Sequence, residues 1–224
     1  MSHQKGISRR RFLIGAAGLG VAACGGVGFL AAQQPAITFN ELSCGEAANN
    51  QKKVLVTYAS QFGSTGEVAM AMAQTLCESG LAAEVKLVTN VNDLSPYRAV
   101  IVGAPVHSDE WMPDALNFVQ TNRALLSKRP VAYFLTCMTL GLTEQPGPRQ
   151  KIAGVLEKVQ ADIPEVIPVD KGLFAGALDY SKMSYFMRGM YQAFAEDDTA
   201  GDFRDWEAIR TWTKLVGPKL LETG

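Results

Sequence analysis

The chain has 224 residues, of which 47% are hydrophobic and 19% charged, with a formal net charge of −1. That is enough for a well-buried core, and it lacks the basic excess that a nucleic-acid partner requires. Four cysteines (Cys24, Cys44, Cys77, Cys137) and two histidines (His3, His107) show no CxxC and no metal-ligand spacing, which argues against zinc or iron–sulfur chemistry.

Residues 1–32 read as an address. They open with Lys5, Arg9, Arg10 and Arg11 and no acid before residue 24, so the other 17 basic residues face all 22 acidic ones. "SRRRFLI" at 8–14 leads into an uncharged apolar run from Phe12 to Ala32, the form of a signal segment. Paired arginines after Ser8, with Phe12 and Leu13 behind, resemble the twin-arginine export motif. Ile14 stands where that motif often has Lys. The alternative is that Arg9–Arg11 mark the cytoplasmic end of a membrane anchor, since a run of about 20 apolar residues just spans a bilayer. "VAAC" at 21–24 resembles a lipobox, which would make Cys24 a lipidated residue; the plainer reading is a small residue in an apolar helix. Residues 33–51 turn polar and irregular and read as a linker. Cys44 lies in it, as a free thiol or a partner for another chain.

From residue 52 to 224 the pattern alternates. "KVLVTYA" (53–59) is a buried strand, followed by a helix over 65–79 that Gly80 stops. "AAEVKLV" (82–88) reads as a strand nearer an edge, and "RAVIVGAP" (98–105) as the central strand. A helix over 113–127 begins with Pro113 in its first turn. "PVAYFLTC" (130–137) is the fourth strand, 148–160 a helix and 166–176 a fifth strand. Helical patterns at 181–195 and 203–220 close the chain, the last with Asp202 as its expected N-cap. Strands separated by such helices imply right-handed crossovers and a doubly wound five-stranded parallel sheet. Order 2-1-3-4-5 fits, with a ligand at the carboxyl ends of the strands. That places loops 59–65, 105–112 and 136–143 around one crevice.

Loop 59–65 joins a strand end to a helix start, where unpaired N–H groups and the helix dipole favour an anion. Small residues admit a phosphate closely. GxxxxGK[ST] is absent, because no lysine is present, and Gly63 and Gly66 do not complete GxGxxG. A terminal phosphate held by neutral donors remains. "SQFGST" (60–65) resembles the flavodoxin phosphate loop, [ST]-x-[ST]-G-x-[ST]: Ser60, Gly63 and Thr65 match, and Phe62 replaces the middle hydroxyl residue. Together with "YRAVIVGAPVHSDEWMPDALNFV", "FAGALDY" and "GDFRDWEAI", the stretch from Lys52 onward resembles the flavodoxin-like proteins that include the menaquinone-dependent protoporphyrinogen dehydrogenases.

The resemblance implies FMN as cofactor, its phosphate on Ser60, Gln61, Phe62, Gly63, Ser64 and Thr65. The flavin ring would then reach Ala104, Pro105, Val106, His107 and Trp111 on the second loop and Thr136, Cys137, Met138 and Thr139 on the third. Trp111 has two uses open to it, stacking on the ring or anchoring the next helix. His107 is either a proton donor to reduced flavin or an exposed loop histidine. Asp109 and Glu110 would lower the flavin potential. Cys137 has no activating neighbour and reads as a packing thiol. Over 179–194, Met183, Phe186, Met187, Met190 and Phe194 form an apolar stripe, either core packing or a Met-rich wall for a quinone. Tyr180, Tyr185 and Arg188 lie off it. The expected function is an exported or membrane-tethered FMN redox protein working with a partner protein or a quinone. The alternatives are a protoporphyrinogen dehydrogenase-type oxidoreductase and, because of Phe62, an FMN-free interaction module.

Overall fold

The computed structural model describes residues 35, 37–39, 41–45, 53–194 and 200–221, the side chains of 192–194 excepted. The arginine motif, the apolar run and Cys24 lie outside the described residues, among which no helix is long and apolar enough to cross a membrane. The chain divides into two compact units, residues 37–179 with 199–224, and residues 1–36 with 180–198.

In the first unit, β1 (Leu42–Cys44) is followed by β2 (Lys53–Tyr58), α1 (Ser64–Glu78), β3 (Ala82–Leu87), β4 (Ala99–His107), β5 (Glu110–Trp111), α2 (Pro113–Thr121) and α3 (Arg123–Leu126). Then come β6 (Val131–Cys137), α4 (Thr139–Leu142), α5 (Pro146–Asp162), β7 (Asp170–Ala175), β8 (Ala177–Leu178), β9 (Gly201–Asp202) and α7 (Trp206–Lys219), with α6 (Tyr185–Phe194) in the second unit. The parallel strands lie in the order β3-β2-β4-β6-β7, which is the expected 2-1-3-4-5. β4 is central, as its apolar run implied.

Strand residues alternate between two cores. Val54, Val56, Tyr58, Ile101 and Phe134 face α1 and α7, while Leu55, Val100, Val102, Tyr133 and Leu135 face α2 and α5. This burial on both sides is what an uninterrupted apolar strand sequence demands. Gly103 has no side chain because the Phe134 ring occupies that space: a Cβ there would lie 1.9 Å from the ring.

The stretch read as a linker does more than connect. Leu42–Cys44 pairs antiparallel with β3 and covers the sheet edge, with Ser43 opposite Glu84. Cys44 is bonded to Cys77 near the end of α1, 33 residues away. It is therefore neither a free thiol nor a partner for another chain. Smaller departures have local causes. The 113–127 helix divides at Asn122, whose side-chain amide donates to the Phe118 carbonyl. Asp205, not Asp202, caps α7, its carboxylate accepting from the Ala208 N–H at 2.9 Å.

In the second unit, a 3₁₀ turn (Tyr180–Lys182) precedes α6, whose first turn is closed by the Ser184 hydroxyl accepting from the Met187 N–H. Met183 is buried, but Phe186 is 64% and Met190 47% exposed. The stripe is thus not core packing along its length.

Candidate functional site

The phosphate loop starts where β2 ends. Ser60 is buried and its hydroxyl accepts from the Gly63 N–H at 2.9 Å, leaving its own O–H free to turn outward. Gly63 sits at φ +88, a left-handed conformation that suits glycine. No side chain caps the first turn of α1, so its N–H groups keep their capacity for an external acceptor. Gly66 is required by packing: a Cβ would lie 2.7 Å from the ring of buried Tyr58. Gln61, Phe62 and Ser64 are half-buried around this turn. Thr65 is buried, and its hydroxyl lies 2.9 Å from that of Thr136 at the end of β6, tying the first loop to the third.

The second loop is a hairpin. Val106 pairs with Trp111 and His107 with Glu110, across a turn in which Ser108 (φ 52) and Asp109 (φ 62) are both left-handed. Two such residues match the twist of the flanking strands. Ala104 is buried, Pro105 and Val106 half-buried, and His107 exposed with Nδ1 3.2 Å from the Ser108 hydroxyl. Asp109 and Glu110 each face a lysine of α5, Lys151 and Lys158, at 2.7 Å. The bond to Lys158 holds the Glu110 carboxyl below its ordinary range. Their charges are paired, which weakens the expectation that they tune a flavin. Trp111 resolves toward the anchor. It is 2% exposed, packs against Tyr133, and donates from Nε1 to the Phe134 carbonyl at 3.2 Å. Its indole is turned into the core because the hairpin register puts it on the inner face.

At the third loop, Thr136 and Cys137 are buried at the strand end, and Met138 and Thr139 are half-buried at the start of α4. Cys137 is a buried free thiol, as expected.

One group escaped the sequence reading. The Arg204 side chain is only 7% exposed. Its guanidinium donates to the Ser64 carbonyl at 3.1 Å, to Glu67 at 2.7 Å and to Asp202 at 2.6 Å, and lies 4.4 Å from the centre of the Trp206 ring. Burial opposes its charge, but the bonds to Asp202 and Glu67 outweigh that and raise its pKa. Beside it, the Phe203 N–H donates to the Gly176 carbonyl, and a Cβ on Gly141 would lie 2.3 Å from Phe203. The partners are 137 and 62 residues away in sequence from the residues they hold, so no local spacing announces them; "GDFRDWEAI" carried only a family likeness.

A doubly wound sheet with an uncharged anion cradle at its switch point defines an α/β protein of the flavodoxin-like class. Residues 55–204 match the flavodoxin domain model, and the chain belongs to that family. It is 25% identical over 174 residues to a protoporphyrinogen IX dehydrogenase (quinone) of Leishmania major, covering 73% of this chain and 74% of that protein. It is 22% identical to the enzyme of the same name from Escherichia coli K12, covering 73% and 94%. Among solved structures, Flavodoxin 2 from Bacillus cereus aligns with 18% identity and a TM-score of 0.49, covering 75% of this chain and 99% of that one. An archaeal flavodoxin aligns with 14% identity and a TM-score of 0.46, covering 75% and 98%.

The family's cofactor is FMN, and the cradle fits its phosphate: a glycine at positive φ, an uncapped helix start and the Ser60 hydroxyl converge without a cation. Family membership and this fit argue against the FMN-free interaction module. When bound, FMN supplies one- and two-electron transfer. The residues that would hold its phosphate are Ser60–Thr65, and the Thr65–Thr136 hydrogen bond ties that loop to the third.

Proposed function

We propose that this chain is an exported, membrane-tethered FMN redox protein that passes electrons between a membrane-linked donor or acceptor, of the quinone class, and a second partner. The observation that carries the redox reading is the neutral phosphate cradle at Ser60–Thr65. Two further observations support export. The Cys44–Cys77 bond suits an oxidising compartment outside the cytoplasm, as does the arginine motif at 8–14. A third supports the tether: the uncharged apolar run from Phe12 to Ala32 is about long enough to span a bilayer.

The test is to express the full chain with its leader, fractionate the cells, and ask whether a yellow, FMN-releasing protein is found outside the cytoplasm. A cytoplasmic, soluble yellow protein would refute the export and tether while leaving the flavin reading intact. Steady-state reduction with menaquinol in vesicles against soluble protein donors then identifies the partner class.

A second reading, a protoporphyrinogen dehydrogenase-type oxidoreductase passing electrons to a quinone, is favoured by the two relatives of that name. Export argues against it, because haem precursors are made inside the cell. Flavin reduction on adding protoporphyrinogen IX under anaerobic conditions would favour this second reading over the first.

A further inference from the structure

The segment Gly201–Trp206 reaches both halves of the cofactor site from a part of the chain far removed in sequence. Phe203 closes on Gly141 behind the third loop, and Arg204 closes on the first turn of α1. We propose that this segment is a brace for the site and that Arg204 is a positioning residue for phosphate recognition, acting through the peptide between Ser64 and Thr65 and through Glu67.

Two effects combine. The Ser64 carbonyl and the Thr65 N–H belong to one peptide plane, so a guanidinium gripping the oxygen fixes the direction in which the opposite N–H points. Donation to that carbonyl also polarises the plane and strengthens the N–H as a donor. The second effect is charge. Glu67 stands in the first turn of α1, where a carboxylate suits the helix dipole but repels a phosphate dianion bound at the same end. Arg204 offsets it at 2.7 Å, and Asp202 and the Trp206 ring hold the guanidinium in a single orientation. The cradle itself contains no cation, so Arg204 with the carboxylates of Glu67 and Asp202 provides the nearest charges to it. A lysine has one donor centre and cannot reach Ser64, Glu67 and Asp202 together.

This rests on FMN binding at 60–65, and the experiment separates the two. Flavin fluorescence titrations give dissociation constants of the full chain for FMN and for riboflavin, which lacks the phosphate. If the wild-type chain binds neither, the flavin reading fails and the brace with it. Given binding, Arg204→Ala is expected to weaken FMN about tenfold or more, through loss of the charge-assisted grip on the Ser64 carbonyl and of the cation facing Glu67, with riboflavin changed less than about twofold. Arg204→Lys is expected to resemble Arg204→Ala. Glu67→Gln moves the other way, tightening FMN severalfold at low salt with riboflavin unchanged, and it partly rescues Arg204→Ala. Equal losses for both flavins would make Arg204 a structural residue only. Unchanged FMN affinity in Arg204→Ala, or a Glu67→Gln that does not tighten FMN, would overturn the proposal even if Arg204→Ala itself fails to fold.

Discussion

Reducing the Cys44–Cys77 bond offers the sharpest test of how β1 (Leu42–Cys44), the strap along the sheet edge, contributes to the domain. The bridge closes a chain segment with a sequence separation of 33 residues. Loop-closure entropy for that length removes about 3 to 4 kcal/mol of freedom from the unfolded chain. In a domain of this size that corresponds to a fall in Tm of about 10 °C on reduction. The strap keeps its pairing to β3 in the folded state, so the change acts mostly through the unfolded state, and the double variant Cys44→Ser/Cys77→Ser should match the reduced wild type. The assay is urea and thermal unfolding of the purified chain with and without reductant, alongside non-reducing electrophoresis. Coincident midpoints would refute the reasoning. So would a dimer that disappears on reduction, because the bond would then join two chains.

Three further outcomes follow from individual contacts. Burial alone would raise the Glu84 carboxyl, but bonds from Lys53, Lys86 and Tyr97 outweigh it and bring its pKa from 4.5 down to about 2. Its contribution, on the order of 3 kcal/mol, is therefore complete above pH 4.5 and lost as pH falls toward 2. Glu84→Gln should lose stability at pH 7 but unfold like the wild type near pH 2, which urea titrations at both values check. The Tyr133 hydroxyl is buried with no partner among the described residues, so Tyr133→Phe should gain about 1 kcal/mol; a loss would reveal an acceptor. Gly103→Ala drives a methyl into the Phe134 ring and should cost about 3 kcal/mol, partly recovered by adding Phe134→Leu, as read from denaturation midpoints.

The parallel sheet was legible because its signals are local. A β-branched run, a Gly stop and a helical period each occupy a dozen residues or fewer, and five repetitions of strand and helix leave few topologies. The loop itself was legible for the same reason: Ser60, Gly63 and Thr65 lie within one turn, and the structure adds that the Ser60 hydroxyl accepts from the Gly63 N–H and that Gly63 is left-handed. What sequence could not settle depends on register and distance. Trp111 sits at a loop end where stacking and anchoring are equally compatible with its neighbours; only its pairing opposite Val106 sends it inward. Cys44 lacked a local partner because its partner belongs to a helix beyond the next strand. Asp202 and Asp205 both satisfy the capping pattern, and the choice falls to Arg204, which engages Asp202 and leaves Asp205 for the Ala208 N–H.

These long-range ties share a target. Cys77 bonds the last turn of α1 to the strap, Thr65 bonds its first turn to β6, and Arg204 holds its first carbonyl and its only first-turn acid. A helix fixed at both ends cannot rotate or slide without breaking a covalent bond or the partly buried Arg204–Glu67 ion pair. The N–H groups that would meet an FMN phosphate are thus oriented by contacts within the chain. Preorganisation of this kind reduces the ordering cost at binding, and it would let a cradle without lysine or arginine of its own take a doubly charged group. On the proposed reading, phosphate recognition becomes a property of the whole α1 mounting, and variants distant from the loop should alter flavin affinity in proportion to how far they loosen that helix.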